Sequence, residues 1–488
     1  MRKPFSTQAR LDCATIGEVQ LNLKCRDEIV PVLAGLRHIY SQGQLRDQIL
    51  GLVAADVNER SRNDRGREGL DYWHIIVLAA VRLGCNLDYD KLQDLAEQHR
   101  AMRHIMGIGD WQEQIDFNWR RIRDNICLLK PGTIEAISHC LLEEAYRLQP
   151  DAVKKQRVDS FVVETNIHYP TESSLIVDGV RKTIELCVKL SDVYDIVGWR
   201  QHEHLLKKVK QTARQVARIS ARQGAKYKER LADQYGQLLG RAESILRRAA
   251  ETCETLQSDY DLDIVSITQI AEITVFIERT RQVCGTARRR VLEGETVPNE
   301  DKLFSIFEPH TQLYRRGKAG QPNQFGRLVL IYEDAAGFIS HHYVMPRDAQ
   351  DQDVAVEQTR KLQQRLKNRV EEISFDRGFH SPENQQQLAE LVAHVCLPKP
   401  GKKQAIEQDE TASVSFHQAR QRHPGVESAI GALQSGNGLV RCRDESEVGF
   451  ERYFALAVLG RNIHALGKLL IAKEDESAPA AISQRAAA

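Results

Sequence analysis

Strand-forming sequence in this chain is split. One β-rich run, Val158 to Val163, stands alone, and the next two, Arg327 to Tyr332 and Phe338 to Met345, come only after a long helical stretch from about Val180 to Leu292. A strand must pair its backbone N–H and C=O groups, so the early run has to be completed by segments far along the chain. The later runs flank Asp334-Ala335-Ala336-Gly337, which suits a hairpin loop. A polar helix (Asp353 to Val370), an alternating run at Ile373 to Phe375, a helix from Ser381 to Leu391 and a short strand at Ala393 to Leu397 follow. Two helices close the chain, one starting near Val426 and the other at Gly449. This order implies an α/β fold with a mixed sheet, the helical block being an insertion after the first strand.

Residues 1 to about 150 have all-helical texture. Leu70 to Leu83 reads as a buried helix closed by Gly84, and Asp88 as the N-cap of the next, with Leu92, Leu95 and Ala96 at helical spacing. Helix, tight turn and helix suit a helix-turn-helix. Arg120, Arg121 and Arg123 beside Trp119 suit phosphate contact, and a solvated face explains them about as well. At 488 residues more than one core is expected. The expected division is an all-helical region over 1–150, an α/β domain over 151–472 with its insertion at about 182–300, and a low-complexity, disordered tail over 473–488.

The overall balance of 68 basic and 67 acidic residues argues against a dedicated polyanion binder. The distribution says more. Between Gln201 and Ala250 stand twelve Lys or Arg against four acids, and Lys207, Lys210, Arg214, Arg218 and Arg222 recur every three or four residues, on one helix face. A stripe of one sign repels itself unless an anion lies along it, which favours phosphate-backbone contact over a merely solvated face. The ten cysteines are scattered with no CxxC pair, which suits a reducing cytosol and neither a zinc ribbon nor a disulfide framework. The N-terminus leads into no apolar signal region, and the apolar run Ile75 to Val81 is too short to span a bilayer. A soluble, cytoplasmic protein is expected.

Asp159 lies inside the first β-rich run and Asp376 ends a later one. Asp is depleted in strands and costly near a core unless something compensates it. If the two strands are neighbours, the carboxylates converge, and each raises the pKa of the other unless a cation sits between them. Mg²⁺ binds through one or two carboxylates plus water and phosphate oxygens. A pair of such ions roughly 3.5–4 Å apart can serve both the attacking and the leaving oxygen at phosphorus. Glu427, opening a helix just after Pro424-Gly425, is the best-placed third carboxylate. Each acid has an ordinary explanation too, as a cap or as first-turn helix chemistry. His168, His341, His342, His380 and His423 lack metal-ligand spacing, and no P-loop, nucleophile-elbow or HExxH motif is present.

Four blocks in order carry a family resemblance: "RVDSFVVETNIHYPTESSLIVDGVR", "FEPHTQLYRRGKAGQPNQFGRLVLIYEDAAGFISHH", "SFDRGFHSPENQ" and "GVESAIGALQSGNGLVRCR" with its continuation "GFERYFALAVLGRNIHALG". Together they resemble insertion-sequence DDE transposases of the ISNCY type, over about Val158 to Leu469. The resemblance implies a ribonuclease-H-like catalytic domain preceded by a DNA-binding region. It implies Asp159 on the first strand, Asp376 on the fourth and Glu427 on a later helix as both catalytic residues and ligands of Mg²⁺, with Mn²⁺ able to substitute. The implied chemistry is hydrolysis of a phosphodiester at the element's end, then joining of the freed 3′-hydroxyl to target DNA. The implied partners are double-stranded DNA, as terminal inverted repeats and target, and a second copy of the chain in the synaptic complex. The implied location is the bacterial cytoplasm, at the nucleoid.

Some related transposases place a Tyr and an Arg before the catalytic Glu and a Lys about two turns after it; this chain has Arg420, His423 and Gln434 there. Arg441 and Arg443, and Arg377 beside Asp376, are the remaining candidates for phosphate contact. Three other readings stay open: a catalytically inactive, domesticated DNA-binding relative, a metal-dependent nuclease or phosphohydrolase acting on another nucleic acid, and a metal-free helical scaffold.

Overall fold

The computed structural model describes residues 11–60, 69–111, 117–222, 224, 226–315, 322–399 and 414–485. Among the described residues, seven α-helices precede the first strand: α1 (Ile29–Ser41), α2 (Gly43–Arg60), α3 (Tyr72–Gly84), α4 (Tyr89–Gln98), α5 (Arg100–Ile105), α6 (Trp119–Ile126) and α7 (Pro131–Leu148). Strand β1 (Lys155–Glu164) is followed by four long helices, α8 (Glu172–Tyr194), α9 (His202–Arg222), α10 (Tyr227–Asp259) and α11 (Ile264–Ala287). Then come β2 (Gln312–Tyr314), β3 (Gln324–Asp334), β4 (Ile339–Val344), α12 (Asp351–Arg365), β5 (Glu372–Phe375), α13 (Pro382–Leu391) and β6 (His394–Cys396). The chain ends with α14 (Val414–Arg422), α15 (Gly425–Gly436) and α16 (Glu447–Arg485). It is a mostly helical α/β protein, with one mixed sheet among the described residues.

The chain divides into two compact units, one made of residues 1–166 and 327–488 and the other of residues 167–326. This redraws the expected boundaries. Helices α1, α3 and α7 all pack on α16, so the N-terminal helices and the sheet share one core and no division falls near residue 150. The second unit begins fifteen residues before the expected insertion and extends past it, because Thr171 caps α8 through Ser174 N–H and starts the helical body there.

In the first unit the sheet order is β3-β1-β5-β6, with β4 on the other side of β3. β3 and β4 are antiparallel, whereas β1, β5 and β6 run parallel. The turn between β3 and β4 forms as its sequence suggests: Asp334 accepts hydrogen bonds from the N–H groups of Ala336 and Phe338. Helix α12 contributes Gln358 to His341 of β4, and α16 contributes Phe454 to the neighbouring His342. Adjacent strand residues point to opposite faces, so the sheet is covered on both sides. Asn462 of α16 also satisfies the β4 backbone, exchanging hydrogen bonds with both N–H and C=O of Ile339.

The Glu447–Glu476 part of α16 is the one described helix long and apolar enough to cross a membrane by length and composition, and 67% of its most apolar window is buried. It is a core helix. Gly467 lets it cross α1 closely, since a Cβ there would lie 1.8 Å from the carbonyl oxygen of Pro31. α16 continues to Arg485, through the tail expected to be disordered; extending an existing helix requires no new nucleus.

The second unit is a bundle of α8–α11 around Leu190, Leu238, Leu246 and Ile273, all buried. Trp199 donates from Nε1 to Thr252 Oγ1 inside it. The short strand β2 pairs antiparallel with the first three residues of β3, in a region the sequence presents as loop. None of the ten cysteines is joined in a disulfide.

Candidate active site

The parallel register of β1 and β5 aligns Arg157 with Ser374 and Val158 with Phe375. One step further along each chain stand Asp159 and Asp376. Side chains two apart on a strand share a face, so Arg157, Asp159, Ser374 and Asp376 lie on the same side of this strand pair. Asp159 is half-buried and its Oδ1 accepts from Ser160 N–H at 2.7 Å. Asp376 is exposed and its side chain makes no cap bond to the short turn Arg377–Phe379 that it precedes.

The third carboxylate reaches this face through the segment joining α14 to α15. Arg422 pairs with Glu372 of β5. His423 Nδ1 lies 3.2 Å from Ser374 Oγ. Arg157 Nη1 donates to the carbonyl of Arg422 at 3.2 Å, and α15 packs on β1. Glu427, exposed in the first turn of α15, follows two residues after Gly425. Burial pulls the His423 imidazole below its ordinary pKa, and the carboxylates of Asp376 and Glu427 act in the opposite sense. Both acids therefore act electrostatically on one histidine. A fourth carboxylate, Asp351 at the start of α12, accepts from Ser160 Oγ at 2.5 Å and lies against Gly378. Because Ser160 alternates with Asp159, Asp351 belongs to the opposite face.

Among the described residues, no three Asp, Glu, His or Cys side chains are grouped closely enough to hold a metal ion. The donor set on the Asp159 face still suits a hard divalent cation, being all carboxylate and partly open to water. Asp159, Asp376 and Glu427 are the residues that would hold it.

The candidate phosphate contacts separate into several groups. Lys207, Lys210, Arg214, Arg218 and Arg222 are all exposed along α9, and none makes an ion pair among the described residues. A shallow groove of about 350 Å³ runs beside Leu206, Lys207, Lys210 and Arg214. Arg120, Arg121 and Arg123 are exposed on α6; Arg120 and Arg123 lie over the Trp119 ring at 4.8 and 5.5 Å, and Arg123 also pairs with Asp124. Arg377 is half-buried next to Asp376. Arg441 pairs with Glu164 at 3.1 Å, at the far end of β1. Arg443 bonds Tyr453 and Asn86, which ties it to the packing of the unit.

Sequence reasoning did not single out Arg157. Its signal was present in principle, as a charged residue two positions before Asp159 on the same strand face. Neither a protein-family model, nor a curated protein, nor a solved structure matches the chain.

Proposed function

We propose that the chain is a DNA transposase of the insertion-sequence DDE type. It cleaves phosphodiester bonds at the ends of its element and joins the 3′-hydroxyl to target DNA. The observation that carries this reading is the placement of Asp159 and Asp376 side by side on one face of a parallel strand pair, with the helix of Glu427 held on that face. The strand order supports a ribonuclease-H-like domain: an antiparallel pair β3–β4 on one side of β1 and the parallel strands β5 and β6 on the other.

In this reading Asp159, Asp376 and Glu427 hold Mg²⁺, or Mn²⁺ in its place. When bound, the cation supplies Lewis-acid activation of the phosphodiester. The chain's own residues fix where that happens. The strand register sets the spacing of the two aspartates, α15 delivers Glu427, and Arg377 offers a cation to a phosphate beside Asp376. The α9 stripe and the α6 arginines take the DNA backbone, whose phosphates supply most of the affinity of such complexes. Paired ends require two copies of the chain, working at the nucleoid in the cytoplasm.

A second reading, an inactive DNA-binding relative, is favoured by one observation: Arg420, His423 and Gln434 stand where some related transposases carry a Tyr, an Arg and a Lys around the catalytic Glu. Cleavage of labelled DNA carrying the element's ends, with Mg²⁺, decides between them. Nicking at the end by wild type and none by Asp376→Asn supports the transposase. Binding by both proteins with cleavage by neither sinks it in favour of the inactive relative.

A further inference from the structure

We propose that Arg157 is a positioning residue for Glu427, acting through the turn that starts α15. This rests on the transposase reading, because it assigns Arg157 a role in building that site. The Arg157 guanidinium touches three separate segments. Nη2 lies 2.6 Å from Glu333 Oε2, on β3, and Glu333 is buried. Nη1 donates to the Arg422 carbonyl at the end of α14. The same nitrogen lies so close to Gly425 that a Cβ there would sit 1.8 Å from it and 2.9 Å from Cζ. The planar guanidinium is therefore laid against bare backbone at the first residue of α15, and only glycine leaves room for it.

A guanidinium presents a rigid fork of donors that the point charge of a lysine does not reproduce. Here one side of the fork is anchored on a buried carboxylate of the sheet, and the other holds the carbonyl and glycine that precede Glu427. Arg157 also shares its strand face with Asp159. The same side chain thus references the helix of the third acid to the strand of the first. Groups that orient metal-binding residues typically affect metal affinity or activity by roughly 10- to 100-fold.

A purely structural role, balancing the charge of Glu333, makes a different forecast. Gly425→Ala leaves Arg157 and Glu333 chemically intact and only pushes the guanidinium away from α15. The test uses the full chain as wild type, Gly425→Ala, Arg157→Lys, Glu427→Gln and the double variant Gly425→Ala/Glu427→Gln. Amide hydrogen exchange is followed over residues 426–436 and over β5, and Mn²⁺ affinity is measured without DNA.

The expected result is faster exchange in α15 for Gly425→Ala and Arg157→Lys, with β5 unchanged. Mn²⁺ should bind roughly tenfold more weakly in both, and the double variant should lose no more than Glu427→Gln alone. Exchange in α15 that stays at the wild-type rate overturns the assignment, as does loosened α15 with wild-type Mn²⁺ affinity or fully additive losses. If wild type binds no Mn²⁺ and cuts no ends, the transposase reading fails instead. The exchange of α15 then still decides whether Arg157 holds that helix.

Discussion

Val158 and Phe375 are partners in the parallel register of β1 and β5, so the residues that follow them, Asp159 within β1 and Asp376 just past the end of β5, are neighbours across the strand pair. Neighbouring strands lie about 4.8 Å apart. Two carboxylates that meet from neighbouring strands repel unless a cation is shared between them. Backbone pairing fixes the neighbouring positions, and the side-chain rotamers set how closely the carboxylates approach.

The exposed Asp376 makes no cap bond. Asp376→Asn should therefore shift stability by no more than about 0.5 kcal/mol. If the transposase reading holds, end cleavage should fall by more than about a thousandfold, since several kcal/mol of charge stabilisation are removed. Urea unfolding and a cleavage time course on the same preparation check both halves. Undiminished cleavage would remove Asp376 from the site.

The α9 stripe should act through phosphates alone. Replacing Lys207, Arg214 and Arg218 together by Gln should weaken binding to duplexes of any sequence. It should also make the plot of log affinity against log salt shallower by about one per lost contact. A slope equal to that of wild type would make the stripe a solvated face.

A buried pair ties α3 to the segment before α16. Arg82 Nη2 lies 2.6 Å from Asp444 Oδ1, their side chains are 1% and 6% exposed, and the guanidinium lies 3.9 Å over the ring of Tyr89. Removing one partner of such a pair strands the other charge, so Asp444→Ala should destabilise the first unit by about 3–5 kcal/mol. Denaturant unfolding, from its midpoint and slope, reads this, and a loss under about 1 kcal/mol would show the pair to be dispensable.

Asp334, at the β3–β4 turn, is fully buried, and burial pushes its carboxyl up to about 7, against the pull of the N–H groups of Phe338 and Ala336. The folded state therefore keeps a proton that the unfolded chain releases near pH 4. By linkage, this group's contribution is full below about pH 4 and is lost as pH rises through about 7. Burial lowers His341 to about 3 and His342 to about 4, so their contribution has the opposite sense: present above about pH 6.5 and lost as pH falls toward those values. Comparing wild type with Asp334→Asn from pH 4 to 8 isolates the first effect. The variant should lose the part of the slope that falls toward pH 7; parallel profiles would contradict it.

Local signals in the sequence carried well where they named a specific bond. Asp88 does cap α4, accepting from Lys91 N–H. The Asp334–Gly337 loop does join two antiparallel strands, and a helix does begin at Ser381, as α13. What local reading could not supply was pairing between distant segments. β2 has three residues and no alternation to mark it, and it exists because the start of β3 offers it hydrogen bonds. The grouping of α1, α3 and α7 with α16 depends on packing across most of the chain. At the candidate site the three acids were legible as residue types in strand and helix contexts, whereas the shared face of Asp159 and Asp376 follows from the β1–β5 register and the approach of Glu427 from the packing of α15 on β1. Arg157 was invisible for the same reason: its partners Glu333, Arg422 and Gly425 are remote in sequence.

Strand β1 pairs with a strand whose residues lie more than two hundred positions later, and the whole helical unit of residues 167–326 is made between them. During synthesis, which proceeds at about 5–20 residues per second, β1 leaves the ribosome roughly ten to forty seconds before β5. For most of that interval, until β3 is made, an apolar strand with open edges has no native sheet to join, while α8–α11 depend mainly on one another and can already fold. Chains stopped before residue 324 should hold a finished helical body attached to an unpaired strand. Premature termination would then yield an aggregation-prone product, and the order in which the message is read becomes part of how this sheet is kept from pairing with the wrong neighbour.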